Sequence, residues 1–322
     1  MNENGGRQEI WIPLKGKANG YNGATAPLYQ EITENGEYVW ERSNGYSPVT
    51  VKVDVPQTTK VDVGALGIKL SYSTFTEVPD VFDFSNCTDM SDMFYNCFYL
   101  ITIPQMDTSK MMCMDSMFHD CYSLTSIPQI DTSNVLSMYY TFTYCMNLTT
   151  IPQFDTSKVT RMTCMFENCQ HLVTIPQLDT SKCTDMHRMF ERCLCLTTVP
   201  AMDTSKVTDM YNMFRECSKL TTVQQLDFSN CTNISLIFFQ CSSLTSLTLA
   251  GSINTDLKLT DSPLNEESIK SVLTAASKTT NTTAKTLTFK EGSTLKDTDG
   301  VWAALISECT GKGWSINNLT LV

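Results

Sequence analysis

Seven aspartates, Asp83, Asp107, Asp131, Asp155, Asp179, Asp203 and Asp227, follow one another at a fixed step of 24 residues. A ladder of carboxylates can bind calcium, which takes oxygen ligands from carboxylates and carbonyls. It can also cap turns by accepting backbone N–H bonds, and the Thr-Ser that follows most of the seven favours capping. Seven cysteines keep the same step: Cys97, Cys121, Cys145, Cys169, Cys193, Cys217 and Cys241. Zinc needs paired ligands at short spacing. Cys193 and Cys195 come nearest, but one of them belongs to an apolar face, and the three histidines, His119, His171 and His187, do not repeat. The other seven cysteines (Cys87, Cys113, Cys164, Cys183, Cys195, Cys231, Cys309) are read as following no shared pattern, and all fourteen as reduced thiols. No metal and no cofactor is expected.

A methionine stripe, Met90, Met114, Met138, Met162, Met186 and Met210 with Met93, Met117, Met165, Met189 and Met213, could carry soft-metal chemistry, but its spacing is that of core packing. Gln105, Gln129, Gln153, Gln177 and Gln225 could hydrogen-bond from unit to unit or present a ligand-facing strip. The solvent-facing strand positions are mostly hydroxyl (Thr102, Ser126, Thr150, Thr174, Thr198, Thr222, Ser246) and lack aromatic platforms for sugars. Eight side chains fall where the pattern points outward in the first three units: Tyr95, Phe98, Tyr99, His119, Tyr122, Tyr139, Tyr140 and Tyr144. Clustered exposed aromatics mark recognition or subunit contacts, so these eight form the candidate interaction patch; ordinary solvated surface is the alternative. Arg188, Arg192 and Arg215 beside Glu191 and Glu216 make a mixed-charge face. No Gly-rich phosphate loop, His-based triad or separate carboxylate pair appears, so the expectation is a protein that is not an enzyme.

The elements positioning these residues follow from the repeat. The cleanest unit runs from Asp203 to Leu226. Met210, Met213, Phe214 and Cys217 stand at i, i+3, i+4 and i+7, which predicts one face of a short helix. Leu220 and Val223 predict a short strand, and Pro104, Pro128, Pro152, Pro176 and Pro200 close that strand in other units. Each unit therefore reads as strand, turn, short helix, turn. One unit cannot bury its apolar face alone, so units must stack. Coils spaced like neighbouring strands, about 4.8 Å apart, make a stack roughly 34 Å long. On this reading Phe166 points inward and Glu167 outward.

The Leu-x-x-(Ile/Val) strand, the Asp-Thr-Ser-Lys-Val turn (Asp155–Val159, Asp203–Val207) and the Met-Phe-x-x-Cys segment resemble the leucine-rich repeats, and more closely the BspA-like repeats of bacterial and phage surface proteins. The resemblance covers residues 75–249. It implies a parallel-strand solenoid with a binding or adhesion role and names no ligand. The expected fold class is α/β: a leucine-rich-repeat solenoid of seven 24-residue coils over 80–249, with an N-terminal β module at 1–57, a lead-in and degenerate cap at 58–79, and a C-terminal α/β capping region at 250–322.

The flanks have their own texture. Ile32-Thr-Glu-Asn-Gly-Glu-Tyr38 and Gly45-Tyr-Ser-Pro-Val-Thr-Val-Lys-Val53 are similar to a segment of phage structural proteins, and Asn35-Gly36 is a hairpin-turn signal. Phe75-Thr-Glu-Val78-Pro79 echoes the repeat strand one unit early. Beyond 250, helices are expected near Ile269–Ser277 and Asp297–Cys309, and strands at Thr286–Phe289 and Leu319–Val322. The SPL…TLTF…KGW pattern resembles the cap that follows such repeats, and would cover the last coil's open edge.

The net charge of −11, supplied mostly by the repeats, argues against nucleic-acid binding. No apolar run reaches the roughly 18 residues of a membrane span. The start, Met-Asn-Glu-Asn-Gly-Gly-Arg, has no apolar signal core. Together with the two resemblances this leads to a specific expectation. The chain is a phage structural protein assembled in the host cytoplasm and displayed on the virion surface, as a head fibre or similar appendage. Residues 1–57 would hold other virion proteins, and the solenoid would bind a host-surface or mucosal protein or glycan. A tail-associated receptor-binding protein and a bacterial surface adhesin are the alternatives. Homo-oligomerisation is open.

Overall fold

The computed structural model describes residues 62–79 and 82–322 with their side chains, preceded by the backbone of five short strand segments. Among these, β1 (Ile10–Pro13) pairs antiparallel with β2 (Tyr29–Ile32), and β3 (Gly36–Trp40) with β4 (Val49–Val53). β2 and β3, which flank Asn35-Gly36, pair with β1 and β4; the turn expected at that dipeptide lies partly outside the described residues. The attachment role expected of residues 1–57 lies otherwise outside the described residues.

From β5 (Val61–Asp62), the short helix α1 (Val63–Leu66) and β6 (Phe82–Asp83) onward, each 24-residue unit lies on the next. Parallel bridges run through Asp89, Cys113, Ser137, Arg161, Asp185, Asp209 and Asn233. The amides of Met112, Leu136 and Thr160 donate to the carbonyls of Thr88, Met112 and Leu136 at 2.8, 2.9 and 3.0 Å. The architecture is a repeat fold held by parallel pairing between successive units.

Its core is a set of columns. Phe94, Phe118, Phe142, Phe166, Phe190, Phe214 and Phe238 are buried and stacked ring on ring, with neighbouring centroids 5.4–5.7 Å apart. The methionine stripe is wholly buried beside them. Each repeat cysteine turns its thiol to a carbonyl of the preceding unit, as from Cys169 Sγ to Phe142 O at 3.1 Å, so the sulfur fills space and also satisfies a backbone acceptor. Leu70, 24 residues before Phe94, is fully buried and its carbonyl takes the Cys97 thiol at 3.3 Å. The lead-in thus closes the near end.

The helix expected in each unit is not there. Met90–Met93 and Phe94–Cys97 are consecutive four-residue turns, closed by Met93 N to Met90 O (3.2 Å) and Cys97 N to Phe94 O (3.1 Å). Their third residues, Asp92 (φ 54) and Asn96 (φ 59), are left-handed, as in type II turns. The two columns they belong to keep positive φ in every unit. Turns in series bury i, i+3, i+4 and i+7 as a helix would. They also aim alternate N–H groups along the stack: Asp92, Phe94 and Asn96 donate to Asp115, Met117 and His119 at 2.8–2.9 Å. A helix would spend those donors internally. At these positions Asn is tolerated better than a bulky apolar residue, and the column of Leu236 (φ 58) already carries Asn212. Leu236→Asn is expected to raise stability by about 0.5–1 kcal/mol, read by urea denaturation; a loss of stability would refute the strain argument.

The expected Leu-x-x-Ile strand is regular only at the far end, where β7 (Thr222–Leu226) pairs parallel with β8 (Ser246–Leu249). Gln224 and Thr248 stand there in place of the proline of earlier units. Proline offers no N–H to a ladder, so in the earlier units successive single bonds such as Thr149 N to Thr125 O (3.3 Å) take over. The threonine that follows five of the seven aspartates (Thr108, Thr132, Thr156, Thr180, Thr204) supplies a further staple. Buried Thr156 donates to Asp179 O (2.9 Å) and accepts from Asp179 N (2.7 Å). Thr156→Val keeps the shape and leaves that N–H unpaired, an expected loss of about 1–3 kcal/mol in a denaturation experiment. No loss would mean the staple is idle.

At the far end β9 (Leu257–Lys258), β10 (Lys285–Leu295) and β11 (Trp314–Leu321) form a parallel sheet in the order β11-β10-β9, linked by α2 (Glu266–Ser277) and α3 (Val301–Gly311). Asn265 caps α2 by accepting Ser268 N–H, with Glu266 and Glu267 favourably placed in the first turn. α2 then closes the open strand edge: the hydroxyls of Ser268 and Ser271 accept the amides of Leu247 (2.8 Å) and Leu249 (2.9 Å).

Candidate binding surface

The turns project a row of side chains outward from each unit, and in-register stacking sets them about one strand spacing apart. Of the eight candidate residues, Tyr99 is clearly exposed, at 53 %; the other seven are half-buried, because neighbouring rings cover one another. Tyr95 stacks on His119 (centroids 5.0 Å), which meets Tyr140 (5.8 Å) and Tyr144 (6.1 Å), while Tyr139 sets its edge on Tyr140 (4.1 Å). Phe98 and Tyr122 form a separate stacked pair at 5.1 Å. Tyr140 (φ 56) and Tyr144 (φ 61) occupy the left-handed turn positions. Burial, the first cause, raises both phenol pKa values, with Tyr139 and Cys164 adding at Tyr140 and Glu167 at Tyr144. His119 Nδ1 lies 3.3 Å from Asp120 Oδ2, off a hydrogen-bonding direction.

The sequence reading missed four residues. The Arg161 guanidinium lies over the Tyr139 ring at 4.5 Å, Tyr72 meets Tyr95 edge-on at 5.6 Å, and Met112 and Leu136 stand exposed in one column. Met112 and Leu136 were legible as the apolar members of a column otherwise made of Thr88, Thr160, Thr184, Thr208 and Thr232.

Further along, this face changes from aromatic to charged. Glu167 is not outward as expected: it is 7 % exposed. The turn that replaces the helix folds its column back against the stack. Desolvation, the largest cause, raises its pKa, partly offset by the Cys164 thiol and Arg188. Arg188 spans Glu167 (3.7 Å) and Glu191 (3.5 Å); Arg215 reaches Glu191 at 2.5 Å and Glu216 at 2.6 Å; Arg192 lies 3.5 Å from Glu216. Asn212 also donates to Glu191, at 3.1 Å. The mixed-charge face is one connected network.

Each of the seven ladder aspartates accepts the N–H of the serine two residues on, at 2.8–3.0 Å. These bonds, and serine hydroxyl contacts, hold Asp107, Asp131, Asp155, Asp179 and Asp203 below the usual carboxylate pKa. The caps serve turns rather than helix starts. The glutamines bond from unit to unit through the backbone: Gln105, Gln129 and Gln153 each donate to the carbonyl 24 residues on at 2.7 Å, and Gln177 to Ala201 O at 2.8 Å. Ala201 interrupts the column, and a groove of about 700 Å³ opens there between Gln177, Asp179, Asp203 and Gln225.

All fourteen cysteines are free thiols. Burial pushes Cys97 and Cys241 up to about 12, which leaves them protonated and unreactive. One sequence reading needs correction: Cys87, Cys183 and Cys231 do share a repeat position, with Met111, Val135, Val159 and Val207, and all seven are buried. Each is therefore a small core residue. Among the described residues no three His, Cys, Asp or Glu side chains gather as a metal site, and no helix is long and apolar enough to cross a membrane.

A family described as "Mycoplasma protein of unknown function, DUF285" matches residues 70–172 and 141–251. Among solved structures the chain is similar to the T. pallidum leucine-rich repeat protein TpLRR, at 19 % identity over 54 % of this chain and 81 % of that one, with a TM-score of 0.42. It is also similar to a leucine-rich repeat protein from Bacteroides ovatus ATCC 8483, at 13 % identity over 90 % of each chain, with a TM-score of 0.23. No curated protein matches it.

Proposed function

We propose that this chain, which belongs to the family described as Mycoplasma protein of unknown function, DUF285, is a binding protein of the leucine-rich-repeat type. Its solenoid of seven 24-residue coils presents the aromatic turn face to a protein or glycan on a host surface. The observation that carries this is the ring cluster. Tyr140 and Tyr144 gather with His119, Tyr95 and Tyr139 on one face, half-exposed and ring against ring. Aromatic side chains clustered at a surface are the residue types that dominate recognition. The more specific form is a phage head fibre held to the particle through residues 1–57; it rests on the resemblance of that segment to phage structural proteins.

Two experiments test the reading. Tyr99→Ala with Tyr122→Ala should abolish binding of the purified chain to host cells while leaving its melting curve in place; undiminished binding would move the contact off this face. Electron microscopy of purified particles, labelled with an antibody against the chain, should place label on the head. Label on the tail would make it a receptor-binding protein, and unlabelled particles would leave a bacterial surface adhesin.

A further inference from the structure

The negative charge of the chain is unevenly placed. Residues 62–150 carry ten acidic side chains against Lys69 and Lys110, a net −8 of the chain's −11, while residues 151–249 carry nine against eight. The first stretch is the one that bears the aromatic rings. The 24-residue register sets carboxylates and rings in the same columns: Asp92 stands two units before Tyr140, and Asp120 one unit before Tyr144, all four at left-handed turn corners. Asp120 lies 3.3 Å from the His119 ring nitrogen, and Asp115 accepts the Tyr139 amide at 2.9 Å. Among the described residues no lysine or arginine comes within ion-pair distance of Asp92 or Asp120; Lys69 pairs with Asp89 instead, at 3.5 Å.

The chain itself shows which group this face accepts. The Arg161 guanidinium, one unit on, lies over the Tyr139 ring at 4.5 Å, drawn by the negative face of the ring. Exposed Met112 and Leu136 stand on the same units. They offer apolar ground for the stem of a long basic side chain whose charge stays in the polar surroundings. An anionic glycan would be repelled by so many carboxylates. A neutral sugar would need a ring face free of its neighbours, and here the rings of His119, Tyr139, Tyr140 and Tyr144 cover one another.

Resting on the reading of the aromatic turn face as the binding surface, we propose that its partner is a basic polypeptide segment. Arginine or lysine side chains of that segment lie on the rings of Tyr139, Tyr140 and Tyr144 and pair with Asp92 and Asp120. The field of the first units speeds the approach of such a partner and makes the association weaken as salt rises.

The full chain is tested with a fluorescently labelled oligoarginine peptide and with its citrulline counterpart, which has the same shape and no charge. Fluorescence anisotropy should show the arginine peptide bound, less tightly as salt rises, and the citrulline peptide unbound. Asp92→Asn with Asp120→Asn should weaken binding about tenfold and leave the melting curve in place, because the same columns already carry Asn212 and, for the second, Asn96 and Asn168. Should that pair fail to fold, Asp120→Asn alone carries the same expectation in direction. Asp179→Asn with Asp203→Asn removes equal charge from the aspartate ladder and should change binding by no more than about twofold. An arginine peptide left unbound, a citrulline peptide bound equally well, or equal losses in the two double variants would overturn the proposal. Host-cell attachment separates it from the reading beneath it. If Tyr99→Ala with Tyr122→Ala abolishes attachment and Asp92→Asn with Asp120→Asn does not, the face remains the binding surface and the basic partner is refuted.

Discussion

Replacing Phe166 by alanine is expected to lower the unfolding free energy by about 3–5 kcal/mol, the usual cost of emptying a buried aromatic site. Phe166 is fully buried, with Phe142 and Phe190 stacked on its two faces at 5.7 Å and nearly parallel. Alanine would leave a slot between two rings. The units cannot settle into it, because the Phe166 amide donates to Met189 O at 2.9 Å and its carbonyl accepts the Cys193 thiol at 3.1 Å. Energy in a repeat array resides largely in nearest-neighbour interfaces, and this change damages two of them. Phe238 has a ring of this column on one side only, Phe214 at 5.7 Å, so Phe238→Ala should cost less. Urea titrations of the two variants decide the matter. Equal losses would mean the stacked column is not the principal cohesive element.

The second large effect is expected in the ion network. Arg215→Met should cost about 2–3 kcal/mol, below the roughly 3–5 kcal/mol of a fully buried pair because Arg215 reaches solvent. Its side chain is 28 % exposed, against 6 % for Glu191. Losing the arginine leaves the Glu191 carboxylate buried with Arg188 at 3.5 Å and the Asn212 amide at 3.1 Å as remaining partners. Adding Glu191→Gln should recover most of the loss, since an amide needs no counter-charge. A double-mutant cycle in denaturant measures this directly. If Glu191→Gln fails to rescue, the cost comes from lost packing of the arginine stem, not from charge.

The period was the legible part of this fold. The Asp, Phe and Cys columns could be aligned from the sequence because each keeps one residue type through every unit. What misled was local. Met210, Met213, Phe214 and Cys217 fit a helical face, yet the same burial arises from two left-handed turns in series. The discriminating signal was the residue types at those turn corners: Asp92, Asn96, Asp120, Asn168 and Asn212 are the types that tolerate positive φ. Glu167 was misread by the same error, since a helix turns its column to solvent and these turns do not. The strand was overextended because the prolines were read as closing it, when they prevent it from forming. The aromatic residues could be found by type, but their stacking depended on register, and the Arg161 contact with Tyr139 joins neighbouring units that only the assembled stack brings together.

The account rests on that 24-residue register, and one cross-link tests it. Cys113 and Ser137 are paired in the parallel bridge column, and Arg161 is the next member beyond Ser137. Neighbouring strand positions, about 4.8 Å apart, fall inside the Cα separation a disulfide accepts, whereas positions two units apart do not. Under mild oxidation Ser137→Cys should therefore close a bond to Cys113, seen as a mass loss of two hydrogens and one linked peptide pair after digestion. Arg161→Cys should leave Cys113 free. A bond to Cys113 from position 161, or none from position 137 in a folded chain, would contradict the register and with it the surface on which the proposed function depends.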